Sequence, residues 1–163
     1  MQPFSLKPTL AATVPALALF LLFQACGGSD DAVAQQAADP IEGVWEAVVT
    51  ATNCGTGAVV GTFQGSQVYH RGGTLSDTNA APTNTRGPGF GTWVKSGSTY
   101  TTKFRFYQYD GTGVLLGTRR VTRIVTLGAD GHSQTGSTTN ELFSPAGVSL
   151  ATGCGTDVST RVL

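Results

Sequence analysis

Between Thr99 and Tyr109 apolar and polar positions alternate without a break. Tyr100, Thr102, Phe104, Phe106 and Gln108 fall on one side, and Thr101, Lys103, Arg105, Tyr107 and Tyr109 on the other. A period of two marks a strand with one buried and one wet face. Strand signals recur on both sides of it, separated by Gly, Asn, Asp and Pro clusters. They predict strands over 44–52, 58–71 (with Gly65 as a candidate break), 73–78, 92–95, 99–109, 114–127, 133–142, 148–152 and 157–162. Asp110-Gly111 and Asp130-Gly131 are hairpin turns. The stretch 79–91 is a loop, because its Arg86-Gly87-Pro88-Gly89 segment does not suit regular structure. Gly55–Thr62 and Gly111–Thr118 echo each other as a turn entering a strand. No stripe of period 3.6 follows residue 41. The pattern therefore predicts an all-β fold, an antiparallel up-and-down barrel of about eight strands, whose closure removes exposed edges.

The first 40 residues obey a different pattern. Lys7 is the only charge before an apolar run, Leu10–Phe23, that contains Pro15. The run is shorter than the roughly 20 residues a membrane span needs, and it reads as a signal peptide over 1–25. Leu22-Phe23-Gln24-Ala25-Cys26 resembles a lipobox, in which the cysteine becomes acylated, although Phe23 and Gln24 depart from the usual residues. On this reading Cys26 anchors the protein in the lipid bilayer of a bacterial cell envelope. Residues 26–40 form a flexible tether, and 41–163 form the barrel domain. Ala32-Val33-Ala34 offers a second cleavage site, which would release a soluble secreted protein.

Composition supports the β reading: Gly is abundant (22 residues) and charged residues make up only 12%. Loss of Lys7 with the leader leaves nine basic and ten acidic residues. No basic stripe is present, so nucleic acid is not an expected partner. Either processing route removes Cys26 from the thiol count. Cys54 and Cys154 are left in an oxidising compartment, the setting for one disulfide; the alternative is two buried free thiols.

Candidate chemistry is sparse. His132 follows a turn and reads as solvent-exposed. His70, at a strand end, reads as structural or exposed, with a ligand contact or general base as the alternative. Arg119 and Arg123 share one face of their strand, which reads as a solvated face, with an anion site as the alternative. There is no G-x-S-x-G elbow and no cluster with metal-ligand spacing, so neither a catalytic set nor a cofactor is expected. Asp110-Gly111-Thr112-Gly113 reads as a turn rather than a calcium loop. The Arg86 loop is a candidate cover for a barrel mouth.

Gly43-Val44-Trp45 opens the first strand and Arg161 lies on the last. This resembles the calycin group (lipocalins, fatty-acid-binding proteins and avidins), whose first strand bears G-x-W and whose last strand sends an Arg across that Trp. The stretches His70–Thr74 and Arg86–Gly89 also resemble small exported bacterial (lipo)proteins with a lipocalin-like barrel and no established activity. Register offers an independent check. Opposed residues in an antiparallel pair have a constant sum of positions. Trp45 and Arg161 sum to 206, and Cys54 and Cys154 to 208. Both pairs thus fit one first-to-last strand pairing within a two-residue slip.

Trp45, Phe63, Trp93, Phe104 and Phe106 occupy positions that suit the interior. The strand 133–142 has no large apolar residue before Leu142, so a cavity with polar hydroxyls on one wall is expected beside it. The candidate ligand contacts are His70, Arg86, Trp93, Phe104, Phe106 and Gln108. The expected function is binding of a small apolar molecule. A cavity enzyme of the cyclase or isomerase kind and a purely structural lipoprotein are the alternatives.

Overall fold

A computed structural model describes residues 37–162. The leader, Cys26 and most of the expected tether lie outside the described residues. Eight strands follow one another: β1 (Gly43–Thr52), β2 (Val59–His70), β3 (Thr74–Asn79), β4 (Gly89–Ser96), β5 (Thr99–Tyr109), β6 (Leu115–Leu127), β7 (Ser133–Phe143) and β8 (Ser149–Arg161). Each pairs antiparallel with the next, and β8 pairs back onto β1 to close an up-and-down barrel.

The closing ladder runs without a bulge from Trp45 opposite Arg161 to Thr52 opposite Cys154. The position sum of 206 therefore holds along the whole seam. Cys54 lies two residues beyond the last β1 pair, in the β1–β2 turn, and is joined to Cys154 by a disulfide. The two-residue difference in the sums comes from that turn, not from a slip within the sheet.

Three boundaries depart from the sequence reading. Gly65 does not interrupt β2, because it pairs with Ala47 on one side and Asn79 on the other. The last two predicted strands are one: Gly153, Cys154 and Gly155 stay extended and pair with β7. The fourth strand starts at Gly89, where Asp77 of β3 pairs with it. Gly117 has a job only glycine can do. It sits beside the β5–β6 bulge at a φ of 152°, and a Cβ there would overlap the Phe143 carbonyl.

The barrel has a closed end and an open end. At the closed end Ile41, Trp45, Tyr69, Leu75, Trp93, Tyr100 and Val125 form a dry plug, continued by Phe104 and Val121. Among the described residues, side-chain hydrogen bonds at this end begin with Asp39, two residues before residue 41. Asp39 accepts hydrogen bonds from Ile41 N at 3.1 Å, Tyr100 Oη at 2.6 Å and Lys95 Nζ at 3.2 Å. Arg161 fastens this end. Its guanidinium lies 4.3 Å over the Trp45 ring and donates to the carbonyls of Glu42 (2.6 Å), Gly131 (3.0 Å) and Pro40. Trp45 Nε1 donates to Ile41 O at 2.8 Å, which leaves the indole fully satisfied.

The disulfide closes a 100-residue separation, for which the chain-entropy model gives about 4.7 kcal/mol. In practice reduction should cost about 2–4 kcal/mol, read as a lowered midpoint in urea with and without reductant. Thiol labelling of the unreduced, denatured mature protein should find neither Cys54 nor Cys154 reactive. Two labelled thiols would exclude the bond.

Candidate functional site

Next to the plug the interior carries a layer of polar groups, which begins with Arg123. Alternation along β6 turns Arg119, Val121, Arg123 and Val125 inward together. Both arginines therefore face the interior, contrary to the sequence reading: Arg123 is only 3% exposed, and Arg119 is half-buried. Two charges on one strand face look solvated in isolation, but the apolar Val121 and Val125 share that face and carry it inward.

A buried guanidinium is tolerable only with its donors matched and its charge answered. Arg123 meets both conditions. Its Nε donates to Asp157 Oδ1 at 3.0 Å and its Nη2 to Asp157 Oδ2, a two-pronged pair across β6 and β8. Its Nη1 donates to Tyr69 Oη at 3.0 Å and to Gln67 Oε1. Ser159 Oγ adds a bond to Asp157 Oδ2 at 3.1 Å. The pair occupies the space in front of Gly136 on β7, where a Cβ would overlap the Asp157 carboxylate. Burial works against the Arg123 charge, but Tyr69 and Asp157 hold the guanidinium protonated. Burial also pushes the Tyr69 phenol up.

A second ion pair lies beside the first. Gln67 Nε2 donates to Asp77 Oδ2 at 3.0 Å, and Arg86 Nη2 donates to Asp77 Oδ1. Arg86 comes from the loop between β3 and β4, where those strands share only four pairs. The loop turns across the mouth, Arg86 bridges to Gln108 of β5, and its side chain turns inward over the Phe106 ring at 3.9 Å. Burial raises the Asp77 pKa; Arg86 and Gln67 pull it back only in part.

Above these pairs lies a cavity of about 120 Å³. Its walls are mostly apolar: Ala47, Val49 and Ala51 from β1, Phe63 from β2, Phe104 and Phe106 from β5, and Val121 from β6. Thr138 and Asn140 bring β7 to the wall, and Arg119 reaches in beside them. The cavity continues past Phe63, Phe106, Arg119 and Asn140 into a mouth of about 450 Å³ at the disulfide end.

The candidate ligand contacts expected from the sequence divide accordingly. Phe104, Phe106 and Arg86 line the cavity, and Gln108 lines the mouth. His70 does not join them. Gln67 and Tyr69 take the inward positions of β2, so His70 points outward at the closed end, where its Nε2 lies 2.9 Å from Ser76 Oγ. Trp93 belongs to the plug, edge-on to Tyr69 and Tyr100, with its Nε1 donating to His70 O at 3.0 Å. Sequence reasoning missed Gln67, Asp77, Arg119, Arg123, Asn140 and Asp157 as interior groups. A signal for Asp157 was present: it shares a strand face with Arg161, the residue expected to cross Trp45. His132 is exposed, and no cluster of metal-ligating side chains occurs among the described residues.

Compared with known families and with curated proteins, the chain matches no family model and no curated relative.

Arg123→Met would leave Asp157 buried without its partner and should cost about 3–5 kcal/mol in urea unfolding. The double variant Arg123→Met/Asp157→Leu should recover much of that loss, because neither charge is then stranded. A single variant as stable as wild type would show that the pair does not hold the interior together.

Proposed function

We propose that this is an exported envelope protein whose barrel binds one small, mostly apolar molecule. The cavity carries this reading. It is apolar on most sides, has a few polar groups fixed in place, and opens to solvent through the mouth, as small-molecule sites commonly do. A barrel of eight strands is just wide enough to hold one such ligand. The likeness to calycin barrels, carried by Gly43, Trp45 and Arg161, is part of the same proposal. Binding is favoured over acid–base catalysis by the state of Asp77. It is the cavity carboxylate with a raised pKa, but both its oxygens are already engaged, by Arg86 and Gln67.

Trp45 and Trp93 both sit in the plug, so intrinsic fluorescence reports poorly on this cavity. The better measurement is mass spectrometry of organic extracts from the purified mature protein. Wild type should yield a small molecule that Ala51→Phe, which fills the cavity wall, does not. Identical extracts, together with no binding from a panel of apolar compounds, would leave a structural barrel.

Anchoring through Cys26 completes the proposal and rests on the sequence alone. Cys26→Ala should move the protein from the membrane to the soluble fraction. A wild-type protein that is already soluble and begins at Gln35 would establish cleavage after Ala34 instead.

A further inference from the structure

The charged groups on the cavity wall are Asp77, Asp157, Arg86, Arg119 and Arg123. Four of them cancel in pairs: Arg123 with Asp157, and Arg86 with Asp77. Arg119 has no such partner. Its Nε donates to Gln108 Oε1 at 2.7 Å and its Nη1 to Asn140 Oδ1, both neutral amide oxygens. No ion pair to it is present among the described residues. The lumen thus holds one uncompensated positive charge.

The setting makes that charge consequential. Burial lowers the Arg119 pKa, yet a guanidinium keeps its proton in a protein, so the cost of desolvation stays with the folded state. Gln108 and Asn140 fix the plane of the group from two sides, while its Nη2 makes no hydrogen bond among the described residues. The group stands where the inner cavity meets the mouth, since it lines both. A polar head there leaves the apolar walls below for the rest of a ligand.

We propose that the cavity takes a small organic acid carrying one negative charge, with its carboxylate on Arg119 and an apolar body against Val49, Phe104 and Val121. This rests on the binding reading above and specifies its ligand class. The charge follows from the single uncompensated guanidinium; a dianion would bring a second negative charge into the lumen without a partner. The body follows from the walls, against which a bare inorganic anion would lose its hydration for nothing. The size follows from the volume. An engineered apolar cavity of about 150 Å³ accepts benzene, so about 120 Å³ open toward the mouth limits the body to one ring or a short branched chain. Longer tails find no room below Arg119.

Titration calorimetry of the mature protein with benzoate, benzyl alcohol and acetate tests this. Benzoate should bind at least about tenfold more tightly than benzyl alcohol, the scale of one charge-assisted hydrogen bond. Acetate, which lacks the body, should bind more weakly than either. Arg119→Gln should erase the preference for benzoate over benzyl alcohol. The Arg119 Nε–Hε resonance of the wild-type protein supplies a readout that needs no variant, and should move with benzoate and not with benzyl alcohol. Benzyl alcohol binding as well as benzoate, a preference that survives Arg119→Gln, or an unmoved Arg119 resonance would each overturn the assignment while leaving the binding reading intact. If neither aromatic compound binds, the assignment falls, and the binding reading is then decided by the organic extracts and the wider panel.

Discussion

The interior of this barrel is organised around one buried ion pair. Arg123 and Asp157 meet across β6 and β8 with every prong of the fork engaged. A charge this deep fixes its surroundings, because any donor or acceptor left open there is expensive. Gln67, Tyr69 and Ser159 are each bound into the network, and Gly136 on β7 makes room for it. On one side of the pair the barrel is packed with aromatic and aliphatic side chains. On the other it is hollow. The pair is thus the boundary between a plug that holds the fold and a lumen free to accept something else.

The last strand ties these features together. Its inward positions are Gly155, Asp157, Ser159 and Arg161. Read from the mouth, they leave space, anchor Arg123, support that anchor and latch Trp45. The same strand carries Cys154, which fastens the mouth end to the β1–β2 turn. Closure is consequently secured at both ends of one ladder: by a covalent bond beside the mouth, and by a guanidinium over an indole at the plug. A closed barrel has no free edge, and β8, paired on both sides, stays extended through Gly153 and Gly155.

Much of this was legible in the sequence. Period-two alternation gave β5 its bounds and its faces correctly, since each of its inward residues is buried or lines the lumen. The constant position sum of Trp45 and Arg161 located the closing seam. What the sequence hid was the sign of burial for charge. Arg119 and Arg123 look like a wet face until Val121 and Val125 between and beyond them are given the same orientation. His70 misled for the opposite reason. A lone histidine near glycines suggests chemistry, but its parity with Gln67 and Tyr69 sends it outward. Arg86 was visible as part of a mouth loop. That it reaches Asp77 depends on β3 and β4 parting early, which no local pattern reports.

The hollow half also has a cause that alternation exposes only when strands are read together. The sequence places the packing deficit on β7, where Gly136 and Thr138 point inward. The structure spreads it over neighbours: Ala47, Val49 and Ala51 on β1, Gly65 on β2 and Gly155 on β8 line the same space. Large side chains enter the lumen chiefly from Phe63, Phe104 and Phe106, and the arginines of β6 cross part of the gap. A lumen lined by small residues on adjoining strands cannot be closed by a rotamer change on any one of them. The void is therefore a property of the whole sheet, and Arg119 stands over it with a charge that no described side chain of the barrel neutralises.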